Sequence, residues 1–381
     1  MQIRFAKLAT VYFFYFSILG VYIPYWPLYL KDLGFATSDI GELMAITLGT
    51  KIIAPYIWGW IGDHTHKRLY IIRLAAFLSV APFFIMFFST TYAWIALATI
   101  LFSFFWNALL PQFEVLTLDS LKHQSHHYSR IRLWGSIGFI TTAVGTAPLV
   151  NFFESAIVPW VVAATLTLLW LSSLLLSAPP QMRSKPLTVH LYNSLDFPII
   201  ALLMVSCLLQ ISHGPYYAYF TIFMEEHGYS RALIGQLWGI GVVCEIVMLV
   251  FASKLLKQAN IAVLLILVAL VTALRWLLIA FLPDYLIAII FAQSLHAISF
   301  GVYHATIMHA LSIHLPTGLK GRGQALYSSL SFGVGGSLGT YIASVFWEDI
   351  GGTMIFTLSA AVGILSLAFL IPLQQVYARK T

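Results

Sequence analysis

The chain has 381 residues, of which 60% are hydrophobic and only 9% are charged. A soluble protein of this length needs a far more charged surface, so the composition excludes a soluble globular fold and indicates a helical membrane protein. The formal net charge of +6 does not indicate nucleic-acid binding, because the basic residues are concentrated in short loops between apolar segments.

Twelve apolar segments, each long enough to cross a bilayer, follow one another along the chain. Those before a polar, proline-rich connection lie at 5–30, 39–61, 69–89, 92–118, 131–151 and 155–177. Those after it lie at 197–223, 233–256, 261–282, 285–311, 324–347 and 354–373. We therefore predict an all-α, multi-pass integral membrane protein with a six-helix bundle at 1–178, a cytoplasmic linker at 179–193 and a second six-helix bundle at 194–381.

The distribution of lysine and arginine predicts the orientation in the membrane. With a cytoplasmic N-terminus, sixteen of the twenty basic residues fall on the cytoplasmic side. The exceptions are Lys31 and Arg231, which fall outside, and Lys51 and Arg275, which lie within spans. We expect a protein of the bacterial inner membrane with both termini in the cytoplasm.

An internal repeat divides the chain into two similar halves. Positions 20, 22, 25, 34, 40, 41 and 43 carry Gly, Tyr, Tyr, Gly, Ile, Gly and Leu, and the same residues recur 194 positions later. The matches share one register, at the end of the first span and the start of the second span of each half. They predict two pseudo-symmetric bundles with a solute site between them, which is a transporter architecture.

The loop between the second and third spans reads GWIGDHTHKR from position 59 to 68. It resembles the signature loop of the major facilitator superfamily, whose glycine, aspartate and basic pair fall on Gly59, Asp63, Lys67 and Arg68. Histidines at 64 and 66 replace the usual arginine and glycine. Taken alone, the pattern also fits an ordinary basic loop. In a chain of twelve spans and two halves, the resemblance implies the superfamily's fold and a conformational role for the loop.

Two ionisable residues near the middle of the first half predict a polar site. Glu114 lies in an apolar segment. Burying a carboxylate there costs free energy unless another group pairs with it or the carboxylate has a functional role. Arg132 opens the next span. We expect the two to meet inside the bundle, where a carboxylate and an arginine fork can bind a solute. Lys51, also within a span, could neutralise an anion or extend to a surface.

The second half carries its own ionisable residues within spans. Glu245 could be a structural carboxyl or a proton carrier that releases its proton when water enters. Arg275 needs an anionic partner, and Glu245 is the nearest candidate in sequence; a static ion pair between the eighth and ninth spans is the alternative. His296 and His304 share a broad helical face, where each could bind solute and relay protons or simply bond a neighbouring span.

Within the superfamily, the chain resembles the 3-phenylpropionate permease group and, more distantly, the oligosaccharide:proton symporters of the lactose permease type. SRIRLWGSIGF is similar to the lactose permease segment with the substrate-binding arginine, which implies that role for Arg132 and a substrate-binding role for Glu114. GVVCEIVML, TALRWLL and QSLHAISFGVYH likewise imply that Glu245, Arg275 and His296 are the essential glutamate, arginine and histidine of the second half.

The departures from lactose permease bear on the substrate. Ser299 stands where that permease has a carboxylate thought to carry the coupled proton, and Phe139 stands in place of its sugar-stacking tryptophan. The phenylpropionate group shares the histidine of the tenth span and has a second one matching His304. These differences favour an aromatic ring over a galactoside and leave the proton carrier open. Tyr22 and Tyr216 could line the pathway or belong to an interfacial aromatic belt.

These observations together predict a proton-coupled symporter that imports a small organic solute by alternating access. We expect an aromatic carboxylic acid such as 3-phenylpropionate, with a proton symporter for an oligosaccharide or nucleoside, or a transporter-derived solute sensor, as alternatives. The sequence contains no combined nucleophile, base and orienting group and no metal motif, so we expect no enzyme, metal or cofactor besides the coupling proton. The expected partners are the solute, protons and membrane lipid, with no nucleic acid, and the expected state is a monomer.

The expected roles fall into two sets. Arg132 holds the charged end of the solute, Glu114 bonds Arg132 or the solute, and Phe139 packs on its apolar body. The other substrate-binding candidates are Tyr22, Tyr216 and His304. The proton-coupling candidates are Glu245, Arg275 and His296.

Overall fold

A computed structural model of the protein describes residues 2–65, 67–121, 127–177, 194–316 and 319–378. The described residues form helices and no β-strand. Eleven of the helical segments found in these ranges are long and apolar enough to cross a membrane. The predicted linker at 179–193 lies outside the described residues.

Six helices make up most of the first half. Their bounds are α1 Gln2–Asp32, α2 Thr37–Thr65, α3 Arg68–Phe83, α4 Tyr92–Leu121, α5 Tyr128–Phe153 and α6 Val158–Leu174. Short 3₁₀ turns follow α3 and precede α6. These helices correspond to the six spans predicted there.

The second half has the same helical character with local π-helical turns. Its helices are α7 Phe197–Glu226, α8 Arg231–Gln258, α9 Ile261–Phe281, α10 Leu286–Ser294, α11 Tyr303–His314, α12 Lys320–Ser328, α13 Gly336–Leu365 and α14 Leu367–Ala378. A π-helical segment, Ala297–Val302, joins α10 to α11, and another, Ser329–Gly335, joins α12 to α13. Such segments often occur at functional sites.

One helical run, Lys320–Gln374, covers both the eleventh and the twelfth predicted span. It has 55 residues, against about 20 that are needed to cross a bilayer. Gly351 interrupts α13 with φ 76° and ψ 161°, a conformation that glycine adopts without a Cβ clash. The interruption falls between the two predicted spans, and the count of twelve stays a prediction.

The described chain divides into two compact units. The first comprises Met1–Ser184 with Ser230–Gly239, and the second comprises Lys185–Tyr229 with Ile240–Thr381. The start of α8 therefore belongs to the first unit, where Arg231 donates two hydrogen bonds to the Asp32 carboxylate, at 2.7 and 2.8 Å. The predicted domain bounds at the linker and the pseudo-symmetry of the halves stay predictions.

In the first unit, α1 and α5 run side by side in the same direction. Gly138 packs directly on the carbonyl oxygen of Phe13, where a Cβ would collide with the backbone of α1. Farther along, Thr142 Oγ1 donates to the Ser17 carbonyl at 2.8 Å. This close contact holds the start of α5 against the first half of α1 and so positions Arg132.

In the second unit, α7 and α13 pack in a similar way. Gly339 lies against the Ile211 carbonyl, and Thr340 Oγ1 donates to the Gly214 carbonyl at 2.9 Å. Helix α9 packs against α13 and brings buried Arg275 into the unit. Close backbone contacts therefore hold α7, which carries Tyr216, against α13, and α9 with Arg275 packs on the same helix.

One pair of repeated glycines ends helices in the same local geometry. Gly34 and Gly228 have φ values of 86° and 80° and follow α1 and α7. Each glycine N–H donates to the carbonyl three residues back, and the next residue, Phe35 or Tyr229, donates to the carbonyl five residues back. This is a Schellman cap, which requires a left-handed residue. The internal repeat therefore reproduces local structure at this position.

Candidate functional site

The first unit places Glu114 among polar and basic groups. Tyr128 donates a hydrogen bond to Glu114 Oε1 at 3.1 Å, and the carboxylate is half-buried. Arg132 and Lys51 both lie within range of electrostatic interaction with it. Across the described ranges, no ion pair within 4.0 Å joins Glu114 to Arg132, so the two predicted partners share a site without direct contact.

The Arg132 guanidinium lies on aromatic rings. Its central carbon is 3.9 Å from the centre of the Phe16 ring and 5.7 Å from that of Tyr12. Such contacts stabilise a cation in an apolar setting. The half-buried guanidinium donates no hydrogen bond to any residue that the structure describes. This is an arrangement suited to binding an anion beside an aromatic surface.

Helix α4 carries a second polar group toward α2. Asn107, seven residues before Glu114 and on a similar face, donates to the Thr47 carbonyl at 2.8 Å and to Thr50 Oγ1 at 2.9 Å. Neither Asn107 nor Tyr128 was predicted from the sequence. The signal for Asn107 was an amide within an apolar run at helical spacing from Glu114.

The remaining first-half candidates are buried. Phe139 lies two turns after Arg132 on α5 and is 8% exposed. Tyr22 is 1% exposed, shares a 2.8 Å hydrogen bond with Thr47 Oγ1, and stacks on Trp26 at 5.3 Å. The structure therefore places Phe139 on the side of Arg132 and Tyr22 in the packed interior of the unit.

Two of the predicted conformational-loop residues form an ion pair. Arg68 donates to Asp63 Oδ1 at 2.8 Å and to Gln112 Oε1 of α4 at 3.0 Å. Gly59 lies near the same glutamine side chain, while Lys67 is exposed at the start of α3. The arginine thus ties the end of α2 to the middle of α4.

In the second unit, Arg275 is fully buried and its hydrogen bonds are extensive. Its Nε donates to the Ala292 carbonyl at 3.1 Å, and Nη2 donates to Gln293 Oε1 at 2.9 Å. Its Nη1 lies 3.1 Å from His296 Nδ1 and donates to Ser299 Oγ at 3.3 Å. All four acceptors belong to one segment of the tenth predicted span.

Aromatic rings complete the surroundings of Arg275. Its guanidinium carbon lies 4.3 Å from the Tyr216 ring centre and 4.7 Å from that of Trp276. The Tyr216 hydroxyl donates to Gln293 Oε1 at 2.9 Å, and Tyr216 is 2% exposed. Tyr216 therefore supports the arginine from within the unit. Gln293, three residues before His296, was not identified from the sequence.

The expectation of an anionic partner for Arg275 is wrong. In the part of the chain described here, no carboxylate lies within 4.0 Å of the guanidinium, and its hydrogen-bond acceptors are neutral. Neutral dipoles and two π faces stabilise the buried cation instead. Glu245 lies beyond His296, whose Nε2 is 3.3 Å from Glu245 Oε2.

The two neighbours of His296 determine its protonation. An arginine only donates hydrogen bonds, so the Nδ1 atom facing Arg275 must be the acceptor. A neutral ring then carries its proton on Nε2, which faces Glu245 Oε2 at 3.3 Å. Arg275, His296 and Glu245 therefore form a chain of polar contacts that ends on a half-buried carboxyl group.

A column of parallel rings extends from this chain along the tenth span. The rings of His296 and Phe300 are 5.1 Å apart and those of Phe300 and His304 are 6.3 Å apart, each pair inclined by 8°. His304 Nδ1 is hydrogen-bonded to the Tyr327 hydroxyl at 3.0 Å. The structure brings both predicted histidines to one face, separated by an aromatic ring. Over the residues it describes, no group of His, Cys, Asp or Glu side chains is arranged to hold a metal ion.

Comparison with known proteins shows similarity along nearly the whole chain. The sequence model of the “MFS_1 like family” matches residues 5–358. The chain is 29% identical over 359 residues to the “Probable 3-phenylpropionic acid transporter” of Escherichia coli (strain K12), covering 90% of this chain and 91% of that one. It is 27% identical over 371 residues to “Maltose permease” of Geobacillus stearothermophilus, covering 94% and 92%. The crystal structure of the nucleoside transporter NupG superposes with a TM-score of 0.80 at 17% identity, covering 97% and 99%.

Proposed function

The chain belongs to the MFS_1-like family of major facilitator transporters, and from this premise we propose that it imports a small organic anion together with protons. It is a multi-pass membrane transporter and not an enzyme, because its relatives and its fold are those of such transporters. Its location in the bacterial inner membrane, with both termini cytoplasmic, is part of the proposal and is supported by the basic loops. We expect it to act as a monomer by alternating access.

The proposed substrate is an aromatic carboxylic acid of the 3-phenylpropionate type. The observation that carries this choice is the Arg132 guanidinium, which lies on the Phe16 ring with its donors uncommitted. Arg132 and Lys51 both interact electrostatically with the Glu114 carboxylate, so a substrate anion would meet cationic groups at this site. The relative named as a 3-phenylpropionic acid transporter supports the same class.

Each part of the solute has a counterpart in the first unit. Arg132 would bind the carboxylate through two parallel N–H groups, and Glu114 with Tyr128 would orient the solute from α4 and α5. Phe16 and Phe139 offer aromatic surface for the solute ring. Tyr22, Tyr216 and His304 stay proposed contributors to substrate binding; the first two would act by holding their neighbours in place.

Glu245 is the proposed proton carrier. His296 cannot accept a proton on Nδ1 while Arg275 donates to that atom. Glu245 can take a proton on Oε1 while its Oε2 still faces His296 Nε2. Arg275 would then be a positioning residue that keeps the imidazole neutral. This assignment supplies a proton carrier although position 299 is a serine and not a carboxylate. The Ser299 hydroxyl accepts a hydrogen bond from Arg275.

A proton symporter for an oligosaccharide is the second candidate. The similarity to a maltose permease over 94% of this chain favours it. A neutral sugar would not neutralise the Arg132 guanidinium, and for this reason we rank it second. The likeness to the nucleoside transporter concerns the fold alone at 17% identity.

Transport in proteoliposomes tests the proposal. Purified protein would be reconstituted, and uptake of radiolabelled 3-phenylpropionate and maltose would be followed under an inward proton gradient, with and without a protonophore. We expect gradient-driven uptake of the acid only. Glu245→Gln should abolish accumulation but retain counterflow exchange, because the neutral amide mimics the protonated carboxyl.

Three outcomes would contradict parts of the proposal. Acid uptake that is insensitive to both the protonophore and Glu245→Gln would exclude proton coupling through this residue. Uptake of maltose without uptake of the acid would select the second candidate. Binding of the acid without counterflow would indicate a sensor derived from a transporter.

A further inference from the structure

A groove of about 710 Å³ runs between α1 and the start of α5. Its walls are apolar and aromatic, with two basic side chains added. The apolar lining includes Phe5, Ala6, Phe13, Phe14, Ile131 and Trp134. The basic residues are His127 and Arg130. The candidate solute site uses none of these residues.

The groove opens on a different side of α5 from the solute site. Successive residues of a helix are turned by about 100°, so Arg130 and Arg132 point in directions about 160° apart. Arg132 lies on Phe16 and Tyr12. Arg130, by contrast, is exposed, and its guanidinium has no hydrogen-bond or ion-pair partner among the residues described in the structure.

The groove changes from basic to apolar along the helix axes. His127 lies at the beginning of α5, in ring contact with Phe5 at 5.1 Å, and Arg130 is one turn farther along. Phe13 and Phe14 lie farther along α1 than Phe5. At a rise of 1.5 Å per residue, their distance from Phe5 along the helix axis is about 13 Å. The basic end therefore lies where the helices begin, and the aromatic end lies toward the middle of the span. Trp134, 48% exposed, lies between the two ends.

This polarity matches one class of ligand. A phospholipid with an anionic headgroup has its phosphate at the membrane boundary and its acyl chains toward the membrane centre. Basic pockets between transmembrane helices on the cytoplasmic side bind such headgroups, and a tryptophan at that depth is typical of the interface. A free anion would leave the aromatic end empty, and a zwitterionic lipid would gain less from Arg130.

We infer that the groove between α1 and α5 is a binding site for one anionic phospholipid. Arg130 and His127 bind the phosphate, and an acyl chain lies against Phe5, Phe14 and Trp134. The inference is independent of the transported solute, since it rests on residues outside that site.

Native mass spectrometry of the full-length purified protein tests the site. Phosphatidylglycerol and phosphatidylcholine with identical acyl chains would be titrated separately, and glycerol 3-phosphate would be added as a competitor. We expect one phosphatidylglycerol to bind more tightly than phosphatidylcholine, with no displacement by glycerol 3-phosphate. Arg130→Gln should weaken phosphatidylglycerol about fivefold, the effect of one basic residue near an anionic lipid surface, and leave phosphatidylcholine unchanged.

Two further variants distinguish lipid binding in this groove from a general effect of substitution on lipid binding. Arg322→Gln removes an exposed arginine that lies outside the groove and should leave both lipids unaffected. Ala6→Phe fills the groove from an exposed position, so it should fold normally and weaken both lipids. The proposal is overturned if Arg130→Gln and Arg322→Gln have equal effects, or if Ala6→Phe changes neither lipid. It is also overturned if glycerol 3-phosphate displaces the lipid, or if the wild type binds neither lipid because part of its own chain fills the groove.

Discussion

Replacing Arg132 by glutamine should remove recognition of the substrate's carboxylate without disturbing the fold. The guanidinium is half-buried and donates no hydrogen bond to a described residue, so its loss leaves no buried acceptor unsatisfied. The change removes the contact with the Phe16 ring at 3.9 Å, worth about 0.5–1 kcal/mol at such a site. Glu114 keeps its hydrogen bond from Tyr128 and its electrostatic interaction with Lys51.

The expected loss of binding follows from the bonds that the guanidinium can make. A hydrogen bond between charged groups contributes about 1.5–3 kcal/mol. An arginine fork makes two such bonds to a carboxylate, but this one is only half-buried, so we take about 3 kcal/mol for the pair. At about 1.4 kcal/mol per factor of ten, Arg132→Gln should weaken binding of 3-phenylpropionate roughly a hundredfold. Arg132→Lys retains the charge but loses the fork, and should weaken it about tenfold.

A thermodynamic cycle that changes both Arg132 and the carboxylate of the ligand isolates the interaction between these two groups. Binding of 3-phenylpropionate and its neutral amide would be measured by isothermal titration calorimetry for wild type, Arg132→Gln and the control Arg322→Gln. The wild type and the control should prefer the acid to the amide by about a hundredfold, the value of the charged pair. The Arg132→Gln protein should discriminate less than about fivefold.

Equal weakening of acid and amide by Arg132→Gln would refute the reasoning. That result would mean that the arginine supports the site's shape and does not bind the carboxylate. An unchanged affinity for the acid would place the anion elsewhere.

Three further predictions concern stability, measured by thermal unfolding in detergent. Gly138→Val should destabilise the protein by about 1–3 kcal/mol or more, because its side chain meets a backbone carbonyl of α1; an unchanged melting temperature would show that α5 can shift. Gly351→Ala should destabilise the protein by about 1–3 kcal/mol, because the residue has a positive φ even though the space around it is open. The control Gly145→Ala also adds its methyl group to open space, but at a helical position, so it should be neutral or stabilising. Equal effects of the two substitutions would argue against backbone strain at Gly351. Asp32→Asn should cost at most about 1 kcal/mol, because its pair with Arg231 is partly exposed. The double variant with Arg231→Gln should lose less than the sum of the two single losses; additive losses would mean that the pair does not act as a unit.

The placement of single ionisable groups within apolar segments was readable from the sequence. A carboxylate or guanidinium within a span must be stabilised by its bundle, so Glu114, Arg132 and Arg275 could be identified before any contact was known. The identity of the partners was not readable. Arg275 was expected to face Glu245, yet its acceptors come from a segment 17 to 24 residues later, and the carboxyl is reached through His296.

The burial of two tyrosines was likewise not readable from the sequence. Tyr22 and Tyr216 are equivalent positions of the internal repeat near the ends of spans, where a tyrosine fits an interfacial belt, a pathway or a packed interior. The structure buries both, with their hydroxyls bonded to Thr47 and Gln293. Nothing in the local pattern distinguishes these settings, because burial depends on which neighbouring helix covers that face.

The sequence by itself determined that this chain is a helical membrane protein and where its costly charges lie. These properties are local, because hydrophobic length and charge placement act within about a helical turn or a span. Only the tertiary structure decided that Arg275 holds His296 neutral against Glu245, and that Arg132 lies on Phe16 with Glu114 at a distance. Those arrangements depend on how helices far apart in sequence rotate and dock, which side-chain packing determines.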